Sequence, residues 1–384
     1  MNALGGDSEA VTILPPLPSG SVPKEVEADL RARTRSLDAL LRTAAQEFSL
    51  LFLATLERES GDHARIVNAF ASGSAAEPRG SAPPLARGRL LALRGEVDAA
   101  ARAIDERTGW LAVYRDRLEE LGAELALVDA LFTPEVNGRA ALRFTDQHPL
   151  ADRLAEEFVR AIPDDEEDER IATDDLRDPM SLISQMRARL GFEHLRSVRV
   201  LVRPRVGALA AAGDGVVVIA KARMTTAREA YRVVLHEVDG HVLPRERGRR
   251  HPLGIATLGS AATNEDEEGR ALCLETADAM LDGRRRRTLG ARHIAARMVV
   301  DGAEFVDVVR GLASRGLPWE EAVSVTTRVT RGGFSDHGHL RGGIARERVY
   351  LPAMLRIGEA SRRPGLLARM GAMRLSLRAF EHLE

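Results

Sequence analysis

The stretch VVLHEVDGHVLP, residues 233–244, contains the side chains best suited to chemistry in this chain. His236, Glu237 and His241 form the pattern HExxxH. Two imidazoles with a glutamate beside the first are typical of zinc sites, but the usual spacing is HExxH, which puts both histidines on one helical face. At ~100° per residue, an i, i+5 pair diverges by roughly 140° on a regular α-helix. A regular helix would therefore hold the two rings apart.

Two residues that disfavour a regular helix lie in the same stretch. Gly240 tolerates unusual backbone, and Pro244 lacks an N–H and clashes with the carbonyl four residues earlier, that of Gly240. A local i→i+5 widening at Gly240 would turn His241 back toward His236, and such bulges are frequent at functional sites. The sequence thus predicts a helix that opens near Gly240 and brings the two histidines together.

A zinc ion held by two histidines needs a third protein ligand. The segment TNEDEEGRALCLE, 263–275, begins with capping residues and continues with an apolar pattern, so it predicts a second helix. Glu265, Asp266 and Glu267 belong to its first turn, where acids commonly stabilise the helix dipole. Glu268 lies deeper and nearer the apolar face, where a metal would compensate a buried carboxylate. Spacing alone favours Glu268 only slightly over Glu265.

Strands and a capped helix are predicted just before the histidines. SVRVLVRPRV, 197–206, and VVVIAKA, 216–222, are β-branched runs that indicate two strands of a small sheet. Thr226 and Glu229 form a capping box that starts the next helix. The HExxxH helix should therefore follow directly after this sheet.

The rest of the chain divides by composition. The Pro-, Gly- and Ser-rich start indicates a disordered leader, and the N-terminal apolar periodicity predicts two long helices, over 26–65 and 89–132. A linker at 71–88 separates them, so we interpret them as a hairpin or a lid. The predicted units are a leader, 1–25, a helical region, 26–135, and a domain that contains the HExxxH motif, 136–384.

Composition narrows the class of protein. A chain of 384 residues that is 44% hydrophobic can bury a sizeable core, and a formal net charge of −2 gives no global attraction to nucleic acid or to an anionic membrane. Cys273 is the single cysteine, which excludes an internal disulfide framework. The sequence shows no signal peptide and no run of ~20 apolar residues. We therefore expect a cytoplasmic protein without a nucleic-acid or membrane partner, and no oligomeric state is predicted.

Several motifs together resemble one known family. HEVDGHVLP is followed by GRRHPL at 248–253, by Gly259, and by EEGRA at 267–271. This order is similar to the tyrosine carboxypeptidase family of zinc metallopeptidases, which includes microtubule-associated tyrosine carboxypeptidases and bacterial proteins with a QEGLA motif. The family pattern is HExxxH, a downstream Pro-Leu, and an E-G-L-A whose glutamate is the third zinc ligand. In this chain Arg270 stands where the family has leucine.

The resemblance implies a fold, a cofactor and a set of roles. His236, His241 and Glu268 would bind one Zn²⁺ per chain, and Glu237 would act as general base. The implied fold class is α+β and mostly helical. It has a gluzincin-like metallopeptidase core, a small β-sheet beside the HExxxH helix, and an N-terminal helical region. Residues 136–384 would be the catalytic domain.

The C-terminal stretch RGGFSDHGHLRGGIARERVYL, 331–351, matches the family only in part. Gly342, Gly343, Tyr350 and Leu351 match the ends of its G-G-x-F-T-K-D-x-x-Y-L pattern, with one residue fewer between them, and residues 344–347 stand in place of its Phe-Thr-Lys-Asp. The resemblance therefore supports zinc hydrolysis better than a preference for tyrosine.

Substrate groups need donors of their own. An oxyanion needs a hydrogen-bond donor, for which Tyr350, Arg331 and His251 are candidates. A C-terminal carboxylate suits the fork of an arginine, and here the candidates are Arg331 and Arg346.

The sequence predicts a zinc-dependent carboxypeptidase that removes a C-terminal residue from a peptide or protein. One alternative is a metal-dependent amide hydrolase or a peptidase dedicated to one modified peptide, which the departures at 344–347 favour. The other is a non-catalytic metal-containing binding protein. Glu237 speaks against that alternative, because a structural site needs ligands but no base.

Overall fold

The computed structural model describes residues 24–58, 61–163, 169–204 and 206–384. The predicted leader, apart from its last two positions, lies outside the described residues. Of the described helices, none is long and apolar enough to cross a membrane.

The first third of the described chain is helical. Its helices are α1 Lys24–Glu47, α2 Leu50–Leu53, α3 Asp62–Ala71, α4 Arg87–Arg102, α5 Gly109–Asp129, α6 Val136–Arg143 and α7 Ala151–Val159.

The two long helices predicted for this region are wrong in extent. The stretch 26–65 contains α1, α2 and the start of α3, and the stretch 89–132 divides into α4 and α5. Gly61 and Gly109 have φ values of 90° and 73°, a left-handed backbone that interrupts a right-handed helix. The apolar periodicity of the flanking helices did not indicate where these breaks lie.

The remaining helices build the framework around the histidines. They are α8 Leu182–Phe192, α9 Ala227–Val234, a π-helix Leu235–Val242, α10 Leu243–Gly248, α11 Ile255–Leu258, α12 Thr263–Ala277, α13 Gly283–Val300, α14 Phe305–Ala313, α15 Trp319–Val329, a 3₁₀ helix Arg346–Val349, α16 Tyr350–Ala360, α17 Leu366–Ala372 and α18 Leu377–Leu383. The fold is mostly helical with small sheets, which confirms the predicted class.

The strands are short. They are β1 Ile171–Ala172, β2 Arg199–Arg203, β3 Ala210–Ala212, β4 Val216–Ala220, β5 Met224–Thr225, β6 Phe334–Asp336 and β7 His339–Arg341. The predicted small sheet is confirmed, with the strand order β2-β4-β3. β2 runs parallel to β4, because the connection between them contains β3, which pairs antiparallel with the other side of β4. β3 is thus an edge strand, and it packs against the π-helix.

Two hydrophobic cores hold these elements. The smaller one lies between the sheet, α8 and the α9–π-helix segment, and includes Met186, Ile219 and Val238. The larger one joins side chains of the N-terminal helices, such as Tyr114, to those of the C-terminal helices, such as Phe305. The N-terminal helices therefore share a core with the elements that carry the site.

Helix α13 packs closely on α7 at a glycine. A Cβ on Gly290 would lie 2.5 Å from the backbone oxygen of Ala155 and 2.6 Å from the nitrogen of Val159. We expect Gly290→Ala to lower the free energy of unfolding by about 1–3 kcal/mol through overpacking. Gly95→Ala is the matched control, because a Cβ there meets nothing within 4 Å and alanine favours the helix. Denaturant unfolding measures both, and equal stability of the two variants would contradict the prediction.

Candidate active site

The helix that carries the two histidines opens into a π-helix. Thr226 accepts the N–H of Glu229 at 3.1 Å, which confirms the predicted start of this segment. The backbone then changes from α9 into the π-helix at Leu235–Val242. The rings of His236 and His241 have centroids 5.2 Å apart. The predicted i→i+5 widening is confirmed, and it brings the two imidazoles onto one side.

Glu268 completes a group that could hold a metal ion. It lies on α12, which packs against the π-helix. Its Oε2 is 3.3 Å from His236 Nε2 and 3.8 Å from His241 Nε2. Tetrahedral zinc with bonds of 2.0–2.1 Å would put its ligand atoms roughly 3.3 Å apart. The donor set and its spacing therefore fit zinc, and no other such group occurs among the described residues.

Close approach of the two helices depends on Gly240. A Cβ at this position would lie 2.8 Å from the Cβ of Ala271 on α12. Only glycine lets the widened backbone and α12 come near enough for Glu268 to reach both histidines. The glycine thus serves packing as well as backbone freedom.

Each histidine has a second carboxylate behind it. Glu275 Oε1 is 2.7 Å from His236 Nδ1, and Arg285 makes two bonds of 2.9 Å to the same carboxylate. A carboxylate that accepts the Nδ1 proton leaves Nε2 available as a ligand and orients the ring. Sequence reasoning missed Glu275. The available signal was its position seven residues after Glu268, which puts both on the same helical face.

The carboxylate behind His241 belongs to Glu267. Its Oε2 lies 3.6 Å from His241 Nδ1, and Arg374 binds both of its oxygens at 2.8 and 2.9 Å. The sequence-based interpretation assigned Glu267 only to the helix dipole. The structure corrects this, because the rotation of α12 turns the side chain toward the histidine.

These carboxylates make the centre attractive to positive charge. Burial would lower the pKa of His236, but hydrogen bonds to Glu268 and Glu275 outweigh it and raise the pKa to about 9. Burial would raise the pKa of Glu268, yet the histidines and Arg346 hold it well below its usual range. The position between the rings is therefore electrostatically suited to a cation.

Glu237 faces the same cleft from the π-helix. Its Oε2 accepts the N–H of Ala212, on edge strand β3, at 2.8 Å. It lines a cavity of about 600 Å³ together with His236, His241 and Glu268. The predicted base and the predicted ligands thus lie in one cleft.

Two candidates from the C-terminal stretch also reach the cleft. The hydroxyl of Tyr350 donates to Glu268 Oε1 at 3.3 Å, and Arg346 Nη2 lies 3.6 Å from the same oxygen. Burial and the charge of Glu268 raise the pKa of Tyr350, so the phenol stays protonated. Tyr350 is therefore available as a donor.

Two other candidates do not line the cleft. His251 follows the end of α10, where its ring packs on Trp110 with centroids 4.7 Å apart. Arg331 follows the end of α15, and its carbonyl accepts the N–H of Ile344 at 2.8 Å. Proximity in sequence to the motifs therefore did not place these two side chains in the lining of the cleft.

The departures from the family pattern at 344–347 lie mostly outside the cleft. Ile344 and Ala345 are buried, and Glu347 is a buried partner of Arg328. Arg346 alone lines the cavity. Three of the four departures are thus packing residues, not cleft residues.

Arg270, the other departure, secures the π-helix. Pro244 has no N–H, so it cannot donate to the carbonyl of Asp239 in π register or to that of Gly240 in α register. The Nη2 of Arg270 donates to these two carbonyls at 2.6 and 2.5 Å. The arginine therefore supplies the donor that the proline lacks.

The cleft is lined by more arginines than carboxylates. The arginines are Arg170, Arg223, Arg232, Arg245, Arg284, Arg285, Arg292, Arg328, Arg346 and Arg374, and the acids are Glu229, Glu237, Glu267, Glu268 and Asp282.

Comparison with known proteins identifies the family of the chain. A family model described as microtubule-associated tyrosine carboxypeptidase matches residues 70–375, most of the chain. The chain therefore belongs to this family, as the motifs suggested, and its class is a carboxypeptidase-like peptidase. No curated protein and no solved structure gives a match.

Arg270→Leu tests the role of this arginine at the π-helix. The substitution leaves two buried carbonyls without their donor, so we expect a loss of about 1–3 kcal/mol of unfolding free energy. Arg270→Lys should recover part of it by reaching one carbonyl. Chemical denaturation of the metal-free protein measures the effect. An unchanged midpoint for the leucine variant would remove Arg270 from this role.

Glu275→Gln tests the carboxylate behind His236. Loss of its charge weakens the orientation of the ring and the basicity of Nε2, so we expect zinc affinity to fall about 10- to 100-fold. Competition with a chromogenic chelator measures the affinity. Glu359→Gln, an exposed change on α16, is the control and should leave zinc affinity as in the wild type. Equal affinities for both variants would count against the prediction.

Proposed function

We propose that the chain is a zinc-dependent carboxypeptidase that removes a C-terminal residue from a peptide or protein. The observation that carries this proposal is the convergence of His236, His241 and Glu268 in the cleft that also contains Glu237. Two imidazoles and one carboxylate leave a fourth position of tetrahedral zinc for water, as in catalytic rather than structural sites. Family membership supports the carboxypeptidase class.

The proposed mechanism assigns proton transfer to Glu237. When bound, zinc supplies Lewis acidity toward the attacking water and the scissile carbonyl. Glu237 takes the proton of the water as general base and delivers it to the leaving amine. Its bond from the Ala212 N–H holds one carboxylate oxygen, which leaves the other free for this transfer.

The remaining groups stabilise charge and geometry. Tyr350 is our candidate for the donor to the developing oxyanion, since its hydroxyl lies beside Glu268 and stays protonated. Glu275 and Glu267 keep the two imidazoles in orientation, so that little rearrangement accompanies the reaction. Buried neighbours therefore hold Tyr350, Glu275 and Glu267 in position before a substrate binds.

The two alternatives differ in their support. A structural metal protein would need no base, and the position of Glu237 in the cleft favours catalysis. The other alternative, a metal-dependent amide hydrolase or a peptidase dedicated to one modified peptide, was favoured by the departures at 344–347. Since Ile344 and Ala345 are buried, that support is reduced to Arg346.

Glu237→Gln separates metal binding from catalysis. The variant keeps the ligands but has no base, so it should retain one zinc per chain by elemental analysis and lose roughly 10²- to 10⁴-fold in hydrolysis rate. The exposed change Glu381→Gln should retain both. Hydrolysis by the Glu237 variant at the wild-type rate would exclude it as the base.

Digestion of a peptide library tests the reaction itself. The full chain with zinc is incubated with the library in the presence and absence of a chelator, and the products are read by mass spectrometry. We expect loss of single C-terminal residues that the chelator abolishes. Internal cleavage, or cleavage that survives the chelator, would contradict the proposal.

A further inference from the structure

One largely buried cation in the cleft makes no ion pair with a carboxylate of the described residues. Arg292 projects from α13 and lines the cavity. Its Nε is buried and makes no hydrogen bond to the described residues. The neighbouring arginines each have a partner, since Arg285 binds Glu275 and Arg328 binds Glu347. Arg292 therefore differs from the paired arginines around it.

Its surroundings make that charge costly. Burial, followed by the repulsion of Arg328 and Arg285, lowers the pKa of Arg292 to about 9. A cation removed from water and placed among like charges destabilises the fold unless an anion compensates it. A carboxylate entering the cleft would provide that compensation, and the flat guanidinium is suited to bind it through two parallel bonds.

The position of Arg292 relative to the proposed metal site limits which carboxylate it can bind. Arg292 and Glu268 both interact with Tyr350, whose hydroxyl is 3.3 Å from Glu268. One extended residue spans at most about 3.6 Å, so the terminal carboxylate of a substrate lies one residue beyond the scissile carbonyl. Arg292 lines the same cavity as His236, His241 and Glu268, so a terminal carboxylate bound to it belongs to a chain that lies in the same cleft.

We propose that Arg292 binds the C-terminal carboxylate of the substrate and so restricts cleavage to the last peptide bond. This inference rests on the proposed function. It replaces the two candidates chosen from sequence, because Arg331 does not line the cleft and Arg346 is near the carboxylate of Glu268. Arg292 determines the specificity for a free terminus and takes no part in proton transfer.

The kinetic test compares a free acid with an amide. The substrate is a pentapeptide ending in tyrosine, prepared as the acid and as the C-terminal amide, with zinc-loaded full-length protein. Wild type should prefer the acid. Arg292→Met should lower kcat/KM for the acid about 30- to 100-fold and leave that for the amide unchanged, so the preference is lost. Arg292→Lys should recover part of the preference for the acid, because lysine keeps the positive charge but not the planar fork.

Arg286→Met is the matched control, an exposed arginine on the same helix that does not line the cleft. It should keep the wild-type preference. If Arg292→Met keeps the wild-type ratio of kcat/KM for the acid to kcat/KM for the amide, the proposal is overturned. An equal loss of kcat/KM for both substrates would also overturn it, because that loss would indicate general damage to the site.

A thermal scan gives a second readout. Removal of an uncompensated buried charge should leave Tm the same or higher, and a lower Tm would assign Arg292 a structural role.

A binding experiment keeps this inference distinct from the proposed function. The zinc-loaded protein with Glu237→Gln is titrated with the fluorescein-labelled pentapeptide acid and amide, so the result does not depend on hydrolysis. We expect tighter binding of the acid, and loss of that difference when Arg292→Met is added. If the wild type cleaves no peptide but binds the acid more tightly than the amide, the proposed hydrolysis is contradicted and the binding of a carboxylate by Arg292 is supported. If the acid and the amide bind with equal affinity, the binding of a carboxylate by Arg292 is contradicted even when hydrolysis occurs.

Discussion

The close contact between the π-helix and α12 is the interaction on which the site depends. Widening of the backbone brings His241 to the side of His236, and the missing side chain of Gly240 lets α12 approach within the distance at which Glu268 faces both rings. A regular helix would separate the histidines, and a larger residue at 240 would move Glu268 away. Ligand geometry is thus a consequence of packing between two backbones.

Maintaining this backbone requires donors from elsewhere in the fold. Pro244 removes one N–H at the end of the widened segment, and Arg270 donates to the carbonyls of Asp239 and Gly240 instead. Because Arg270 belongs to the same helix as Glu268, α12 both supports the π-helix and contributes to the site. This double role accounts for the arginine at position 270 of α12.

Buried charge is arranged around the site in pairs. Glu275 and Glu267 each lie between a histidine and an arginine, so an imidazole, a carboxylate and a guanidinium form a short chain on either side. The start of α12 is held in the same manner, where Arg143 on α6 binds Glu265 at 2.8 Å. A buried ion pair adds little net stability but fixes orientation, since either partner alone would be costly. The N-terminal helices thereby help to hold α12 in place.

Residue types and their spacing were enough to predict the local features of the site. The spacing of His236 and His241, with Gly240 and Pro244 nearby, predicted the widened helix, because a missing Cβ and a missing N–H act on the backbone where they occur. Which charged side chains meet depends on how the helices pack and could not be predicted. Helices distant in sequence rotate and pack so that Glu275 lies behind His236, Arg270 contacts the π-helix, and Arg292 Nε has no hydrogen-bond partner among the described residues. In a chain whose positive charge is nearly all arginine, residue type could not distinguish them.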